Sequence, residues 1–118
     1  MIKLENLTKY FDQLKVLQGV NLEVKDGESL AVIGPSGCGK STLLKLLIRL
    51  EEPTSGRIII NNMDVHSLSE DGLTNLRKKV GFVFQSAALF DSMNVYENVA
   101  FALRAHTKYD EPKIAKII

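Results

Sequence analysis

The stretch VIGPSGCGKSTLL, residues Val32–Leu44, decides how the rest of the 118-residue chain is interpreted. An apolar run stops at Ile33, and three glycines and a proline follow within the next six residues. A lysine, two hydroxyl side chains and a run of leucines come directly after them. A backbone with so few large side chains can turn its N–H groups toward a ligand. The leucine spacing predicts a helix that begins near Gly39.

The order Gly34-x-x-x-x-Gly39-Lys40-Ser41 is the pattern of a phosphate-binding P-loop, in its expected place between a predicted strand and a predicted helix. Four inward-facing N–H groups would surround a phosphate: those of Gly37, Cys38, Gly39 and Lys40. The Lys40 ammonium would lie against the β- and γ-phosphates. The Ser41 hydroxyl would bind Mg²⁺, and Thr42 would be a further phosphate donor. The stretch therefore predicts a site for a nucleoside triphosphate.

Apolar spacing also predicts the strands. Period-2 patterns between Ile2 and Val24 predict three short strands broken by polar turns, at IKLENL, LKVLQGV and NLEV, and Asp26-Gly27 is a hairpin turn signal. Two compact apolar runs, Ser29–Ile33 and Val80–Phe84, predict strands buried on both faces of a parallel sheet. A β-branched run at Arg57–Asn61 predicts one more strand.

Helix signals alternate with these strands. A helix is expected after a serine cap at Ser67 or Ser69, and another from Asn94 to about Arg104, with Glu97 reaching back to the Asn94 cap. The final EPKIAKII predicts a last helix with its proline in the first turn. Strands alternating with helices after an antiparallel start predict an α/β fold with a parallel sheet. Because the sequence stops within this last helix, we expect it to be a fragment.

Composition narrows the classes of partner and compartment. The formal net charge is +1, which gives no electrostatic reason to expect nucleic acid or anionic lipid as a partner. The only cysteine, Cys38, excludes an intrachain disulfide, and a small residue filling a tight loop is favoured there over a reactive thiol. No apolar run approaches the roughly 20 residues that cross a bilayer.

Residues 1–65, MIKLENL to NNMDV, and residues 76–101, LRKKVGFVFQ to NVAF, closely resemble the first half of an ABC transporter ATP-binding subunit. The resemblance covers essentially the whole chain. It implies a P-loop NTPase fold of the ABC type, with an N-terminal antiparallel β subdomain and the first half of the parallel core sheet. Residues 1–118 are then the N-terminal portion of a nucleotide-binding domain. The family's signature motif, Walker B strand and switch histidine are expected downstream, so this portion alone is expected to hydrolyse ATP negligibly.

The resemblance also implies the site residues. Phe11 best matches the aromatic residue that stacks on adenine, and Tyr10 is the second candidate. Gln85 matches the Q-loop glutamine, which coordinates Mg²⁺ or orients the attacking water. The nucleotide is expected to contact the whole loop: Gly34, Pro35, Ser36, Gly37, Cys38, Gly39, Lys40, Ser41 and Thr42.

The segment FQSAALFDSMNVYENVAFALRAHT, residues 84–107, is similar to the MCE/Mla-type phospholipid transport ATPases. That similarity implies an MCE-type lipid-binding partner. The resemblance to the ABC family implies a second copy of the subunit in a head-to-tail ATP sandwich, and a permease that docks near Gln85–Phe101 on the cytoplasmic face of the inner membrane. An apolar lining with two acidic residues at its rim is expected there: Leu89, Phe90, Met93, Val95 and Tyr96, with Asp91 and Glu97. For Val95 and Val99, ordinary core packing is favoured over docking.

Three other functions stay open. The chain could belong to an ABC ATPase that acts on ribosomes or DNA. It could be a compact P-loop enzyme that holds Mg²⁺ with Asp91, at the end of AALFD, residues 87–91. It could also be a non-enzymatic nucleotide-binding module. His66 and His106 lack metal partners at ligand spacing and are expected to be solvated helix residues.

Overall fold

A long antiparallel hairpin opens the fold. The computed structural model describes residues 1–86 and 88–118, and Ala87 lies outside the described residues. Strand β1 (Ile2–Phe11) pairs with β2 (Leu14–Val24). The period-2 pattern predicts strand at these positions, but LKVLQGV and NLEV form one continuous strand and not two. The connecting turn is at Asp12, whose φ is +52°. The predicted turn at Asp26-Gly27 is present, but it follows β2 and is not the hairpin turn.

The sheet has four strands in the order β2-β1-β3-β4. Strand β3 (Ser55–Ile60) lies antiparallel to β1, with Ile2 opposite Ile60, and the short β4 (Met63–Asp64) pairs with β3. The β-branched run at Arg57–Asn61 predicts β3 correctly. A 3-10 turn, Val65–Ser67, leads from the sheet to the helices.

Two helices pack with this sheet in the first of two units, Met1–Val80. Helix α1 (Lys40–Leu47) follows the glycine-rich loop, and α2 (Glu70–Lys78) begins at Ser69, whose Oγ accepts from the Gly72 N–H at 3.1 Å. Ser69 rather than Ser67 is therefore the cap. The core consists of buried aliphatic side chains from both layers: Leu4, Leu7, Leu17, Leu43, Leu46, Ile58, Ile60, Val65, Leu73 and Leu76.

The two runs predicted as buried parallel strands, Ser29–Ile33 and Val80–Phe84, are not strands. The prediction of two buried parallel strands is therefore wrong for these two segments. A parallel strand needs hydrogen-bonded neighbours and cover on both faces, and none of the described residues pairs with either run. Most of their side chains are accordingly open to solvent, with Ile33 92% and Val83 93% exposed, whereas Val80 and Phe82 are half-buried. Apolar pattern alone does not form a strand without partners.

The second unit, Gly81–Ile118, holds two helices. Helix α3 (Val95–His106) begins with the predicted capping box, in which the Glu97 N–H donates to Asn94 Oδ1 at 2.8 Å and the Asn94 N–H donates to Glu97 Oε2 at 3.1 Å. Helix α4 (Glu111–Ile117) has Pro112 in its first turn, as predicted. Arg104 joins the two helices through a bidentate pair with Glu111 at 3.0 Å. None of the helices that the structure describes has the length and apolar character needed to cross a membrane.

Candidate functional site

The glycine-rich loop bends through two left-handed glycines before α1. Gly37 has φ of +80° and Gly39, the residue before the helix, has φ of +102°. L-residues with a Cβ rarely adopt these angles, so glycine is favoured at both points. The structure thus places the helix start at Lys40, one residue from the predicted position.

Several backbone donors of this loop have no internal partner. Within residues 1–86 and 88–118, no hydrogen bond is made by the N–H groups of Gly37, Gly39, Lys40, Ser41 and Thr42. The Cys38 N–H differs from the predicted arrangement because it donates to the Pro35 carbonyl at 3.3 Å. Donors at a helix N-terminus also carry the positive end of the helix dipole. The cluster therefore fits an anion.

The Lys40 side chain bends back over the loop. Its ammonium donates to the carbonyl oxygens of Gly34 at 2.5 Å and Pro35 at 2.8 Å, and lies 3.5 Å from Cys38 Sγ. The cation is thus held by the first residues of the loop that carries these N–H groups. One positive charge and five free N–H groups together suit an oxygen-rich, multiply charged ligand such as a triphosphate.

Close packing also favours glycine, the residue without a Cβ, at Gly34 and Gly39. A Cβ on Gly34 would lie 2.7 Å from Cys38 Sγ, and a Cβ on Gly39 would lie 2.8 Å from Val16 Cγ1 and 3.1 Å from the Val16 carbonyl oxygen. The thiol therefore fills the space above Gly34, in agreement with a small residue filling a tight loop. The loop also rests on β2, a contact that the sequence pattern does not reveal.

The residues available for a metal are few. Ser41 is exposed, and no hydrogen bond of its hydroxyl is found among the described residues. No group of three His, Cys, Asp or Glu side chains in the described part of the chain could hold a metal ion. Mg²⁺ takes oxygen ligands and keeps several waters beside substrate phosphates, so the Ser41 hydroxyl has the chemistry of a protein ligand for it.

Phe11 and Tyr10 lie on opposite faces at the end of β1. Tyr10 pairs with Lys15 and Phe11 with Leu14 in regular register, so their side chains alternate. The hairpin has a register shift between Lys9 and Tyr10, which places Val16 and Leu17 together opposite Lys9. Both residues also lie next to Gly39, where a Cβ would contact them.

Phe11 therefore shares the sheet face on which the loop rests. It lies about 7 Å along the strand from the Val16 contact, at about 3.3 Å per residue. Tyr10 points to the other face, where its ring lies 5.9 Å from Lys15 Nζ.

Gln85 belongs to the second unit, where it is exposed in a bend and not at the end of a strand. Asp91 lies in a turn that precedes α3, and residues 88–90 form no strand, although Ala87 of the AALFD run is outside the described residues. The compact-enzyme hypothesis requires a strand ending at Asp91, and the described residues supply none.

The expected apolar lining of the second unit is open to solvent except at Met93, which is half-buried. Leu89 is 69% exposed, Val95 81% and Val99 52%. Core packing, which was expected for the two valines, is therefore wrong. The other exposed apolar side chains of this surface are Phe90, Tyr96 and Phe101.

Asn98 is the residue of this surface that sequence reasoning missed. Its Nδ2 lies within hydrogen-bond distance of the carbonyl oxygens of Phe90, Met93 and Asn94, and its Oδ1 accepts from the Phe90 N–H at 2.9 Å. It therefore ties the 90–94 turn to α3. An asparagine one turn after the Asn94 cap was the available signal.

His66 is also not the solvated residue that was expected. Its side chain is 12% exposed, and Nδ1 lies 2.8 Å from Glu52 Oε2. The Nε2 atom is buried without a partner in the described residues. Hydrogen bonds from Arg49, and then from His66, hold the pKa of the Glu52 carboxyl below its usual value.

Comparison with known proteins agrees with this geometry. The ABC transporter family model matches residues 17–118. The sulfate/thiosulfate import ATP-binding protein of Mannheimia succiniciproducens is 44% identical over 98% of this chain and 31% of its own length. The spermidine/putrescine import ATP-binding protein of Hahella chejuensis is 44% identical over 98% of this chain and 30% of its own length. The chain thus spans about a third of these relatives.

A solved ATP-binding cassette, a dimer in a post-hydrolysis state bound to ADP and Pi, superposes with a TM-score of 0.89 at 36% identity. The superposition covers 98% of this chain and 53% of the cassette. The fold is accordingly the N-terminal part of a P-loop NTPase domain. With the family model matching residues 17–118, the chain belongs to the ABC transporter family.

Proposed function

We propose that the loop Gly34–Thr42 binds the phosphates of Mg·ATP. The observation that carries this proposal is the joint placement, in one loop, of the Lys40 ammonium and five backbone N–H groups that have no partner among the described residues. The Ser41 hydroxyl is proposed as the protein ligand of Mg²⁺ and Thr42 as a phosphate donor. Gly34, Pro35, Ser36 and Cys38 shape the loop. Phe11, on the loop's side of the sheet, is the preferred base-stacking ring over Tyr10.

A calorimetric titration tests this proposal. We expect the 118-residue chain to bind Mg·ATP and Lys40→Met to weaken binding at least about tenfold, because a charge-assisted contact of about 1.5–3 kcal/mol is lost. Lys45→Met is the matched control, since Lys45 lies in the last turn of the same helix. Equal affinity of the Lys40→Met and unmodified chains, or no binding by the unmodified chain, would overturn the assignment.

In the complete protein, we infer that this site powers transport by ATP hydrolysis. The relatives are named as import ATP-binding proteins, and the superposed cassette was captured after hydrolysis with ADP and Pi. Hydrolysis requires donors that stabilise charge as it develops on the γ-phosphate, a role suited to the loop amides and Lys40. Gln85, a neutral amide in the second unit, is proposed to coordinate Mg²⁺ or to orient the attacking water.

The proposed partners are a second copy of the subunit and an integral-membrane permease. The superposed cassette is dimeric, and a second similar structure, 37% identical with a TM-score of 0.79, is described as part of a transporter complex. The exposed apolar side chains between Leu89 and Phe101 support permease docking near Gln85–Phe101, because such a surface is unfavourable in water. We accordingly propose that the protein lies at the cytoplasmic face of the membrane, where ATP is available.

For the substrate, we propose phospholipids or related lipids, with an MCE-type lipid-binding protein as a further partner. The support is the residue order of segment 84–107 alone, since the relatives compared above are named for sulfate/thiosulfate and spermidine/putrescine import. The test is the ATPase rate of the complete protein reconstituted with its permease. Stimulation by phospholipid presented on a carrier protein supports lipid transport. Stimulation by sulfate or spermidine instead would reject it.

A further inference from the structure

We propose that Lys9 is a positioning residue for the base-stacking ring, and that it selects Phe11 rather than Tyr10 for that role. The inference rests on the proposed ATP site. Lys9 Nζ lies 4.8 Å from the centroid of the Phe11 ring, within the range of a cation–π contact. The ammonium covers one face of the ring and leaves the other face for a base.

Lys9 is itself held in place from a different part of the first unit. Its Nζ donates to the Glu52 carbonyl oxygen at 2.5 Å and lies 3.7 Å from Glu51 Oε2. The side chain is only 13% exposed. A cation fixed in this way restricts the Phe11 ring, which would otherwise be free to turn at the end of a strand.

The segment that holds Lys9 follows the helix of the phosphate loop. Residues 51–54 come shortly after α1, and the Tyr10 N–H donates to Thr54 Oγ1 at 2.9 Å. The Thr54 N–H donates to the Thr8 carbonyl at 2.8 Å. These hydrogen bonds therefore join the end of β1 to the segment that follows α1. They fix the distance between the Phe11 ring and the start of α1.

The neighbouring lysine and aromatic ring, Lys15 and Tyr10, can be compared with Lys9 and Phe11. Lys15 Nζ lies 5.9 Å from the Tyr10 centroid, at the outer limit of such contacts, and on the sheet face away from the loop. Lys15 is exposed, in contrast to Lys9. The two lysines thus have similar chemistry, but only Lys9 is anchored beside the ring that shares a face with Gly39.

Titrations of the 118-residue chain with Mg·ATP and with magnesium tripolyphosphate test the inference, because tripolyphosphate has no base. Lys9→Met is expected to raise the Kd for ATP about three- to tenfold and to change the Kd for tripolyphosphate less than about twofold. Lys9→Arg should restore ATP affinity, and Lys15→Met should leave both values unchanged.

Each other outcome is decisive. Unchanged ATP affinity in Lys9→Met, or an equal loss for both ligands, overturns the positioning role, the second because it indicates a general structural defect. Stronger effects from Lys15→Met than from Lys9→Met assign the ring to Tyr10 and also overturn it. If the unmodified chain binds neither ligand, the proposed function itself fails and this inference fails with it. If it binds tripolyphosphate as tightly as ATP, the phosphate site stands and the base-stacking role is rejected.

Discussion

Gly39 packs against Val16 so closely that a single added carbon would overlap it, since a Cβ at Gly39 would lie 2.8 Å from Val16 Cγ1. This contact joins the phosphate loop to β2, the strand in which Leu14 pairs with Phe11. Gly39 also has φ of +102°, so both conformation and space restrict the position to glycine. The loop is therefore supported by the sheet and is not a free connection.

Gly39→Ala is predicted to lower the free energy of unfolding by about 2–3 kcal/mol, because left-handed strain and the overlap with Val16 add. Gly37→Ala is the matched control. It has similar strain, with φ of +80°, but a Cβ there meets nothing within 4 Å, so a loss of about 1 kcal/mol is expected.

Urea unfolding measures both values. The double variant Gly39→Ala/Val16→Ala should recover part of the Gly39→Ala loss, because the nearest overlapping atom is removed. Equal losses in Gly37→Ala and Gly39→Ala would show that packing against β2 contributes nothing.

Features set by local chemistry could be predicted from the sequence. The Asn94 cap, the Ser69 cap and the loop before Lys40 each depend on residues within a few positions of one another. The strand character of β1 and β2 is also local, since alternating apolar residues specify one buried face, although the hairpin turn at Asp12 was not predicted. Such interactions are determined by short spacings, which a single sequence displays directly.

Features set by distant partners could not be predicted. The run Ser29–Ile33 has the composition of a buried strand, but strand formation depends on neighbours that the described residues do not provide. The sequence predicts a solvated surface position for His66, because its contact with Glu52 is formed only in the folded chain. The register shift between Lys9 and Tyr10, which places Val16 and Leu17 together opposite Lys9, has no local sign in the sequence.

The unpaired apolar runs predict self-association of the 118-residue chain. Ile33 and Val83 are almost fully exposed, and neither segment pairs with a strand among residues 1–86 and 88–118, so both can offer backbone groups to another chain. Ile33→Thr and Val83→Thr are each expected to shift sedimentation velocity profiles toward monomer without loss of stability. Val95→Thr is the control, because Val95 is 81% exposed but lies on a helix whose backbone is already paired. A larger shift from Val95→Thr would assign association to the second unit instead.

Asn98 predicts a specific pattern of hydrogen exchange in the 90–94 turn. Asn98→Ala removes the acceptor of the Phe90 N–H and the donor to three carbonyls, so we expect faster exchange at Phe90 and a loss of about 1–3 kcal/mol of local stability. Asn98→Asp retains the acceptor, so Phe90 should remain protected while the donor contacts are lost. Asn94→Ala, which removes only the cap, should cost about 1 kcal/mol. Identical exchange at Phe90 in all three variants would contradict this role for Asn98.

Glu52 predicts an acid-dependent loss of stability. Hydrogen bonds from Arg49 and His66 lower the pKa of its carboxyl in the folded state from the ordinary value of 4.5. A carboxyl with a depressed pKa contributes stability above its unfolded pKa and loses it as the pH falls through the folded pKa. The contribution is therefore complete at neutral pH and disappears below 4.5. Since the Glu52 side chain is 61% exposed, solvent screening keeps the effect small.

Urea midpoints of the unmodified chain and Glu52→Gln, measured from neutral pH to well below 4.5, check this prediction. The variant should be less stable at neutral pH, and the two curves should converge in acid, because the protonated Glu52 resembles glutamine. Glu23→Gln is the control, since Glu23 makes no ion pair in the part of the chain that the structure describes. A gap between the unmodified chain and Glu52→Gln that stayed constant with pH would show that the Arg49–Glu52–His66 contacts do not depend on the charge of the carboxylate.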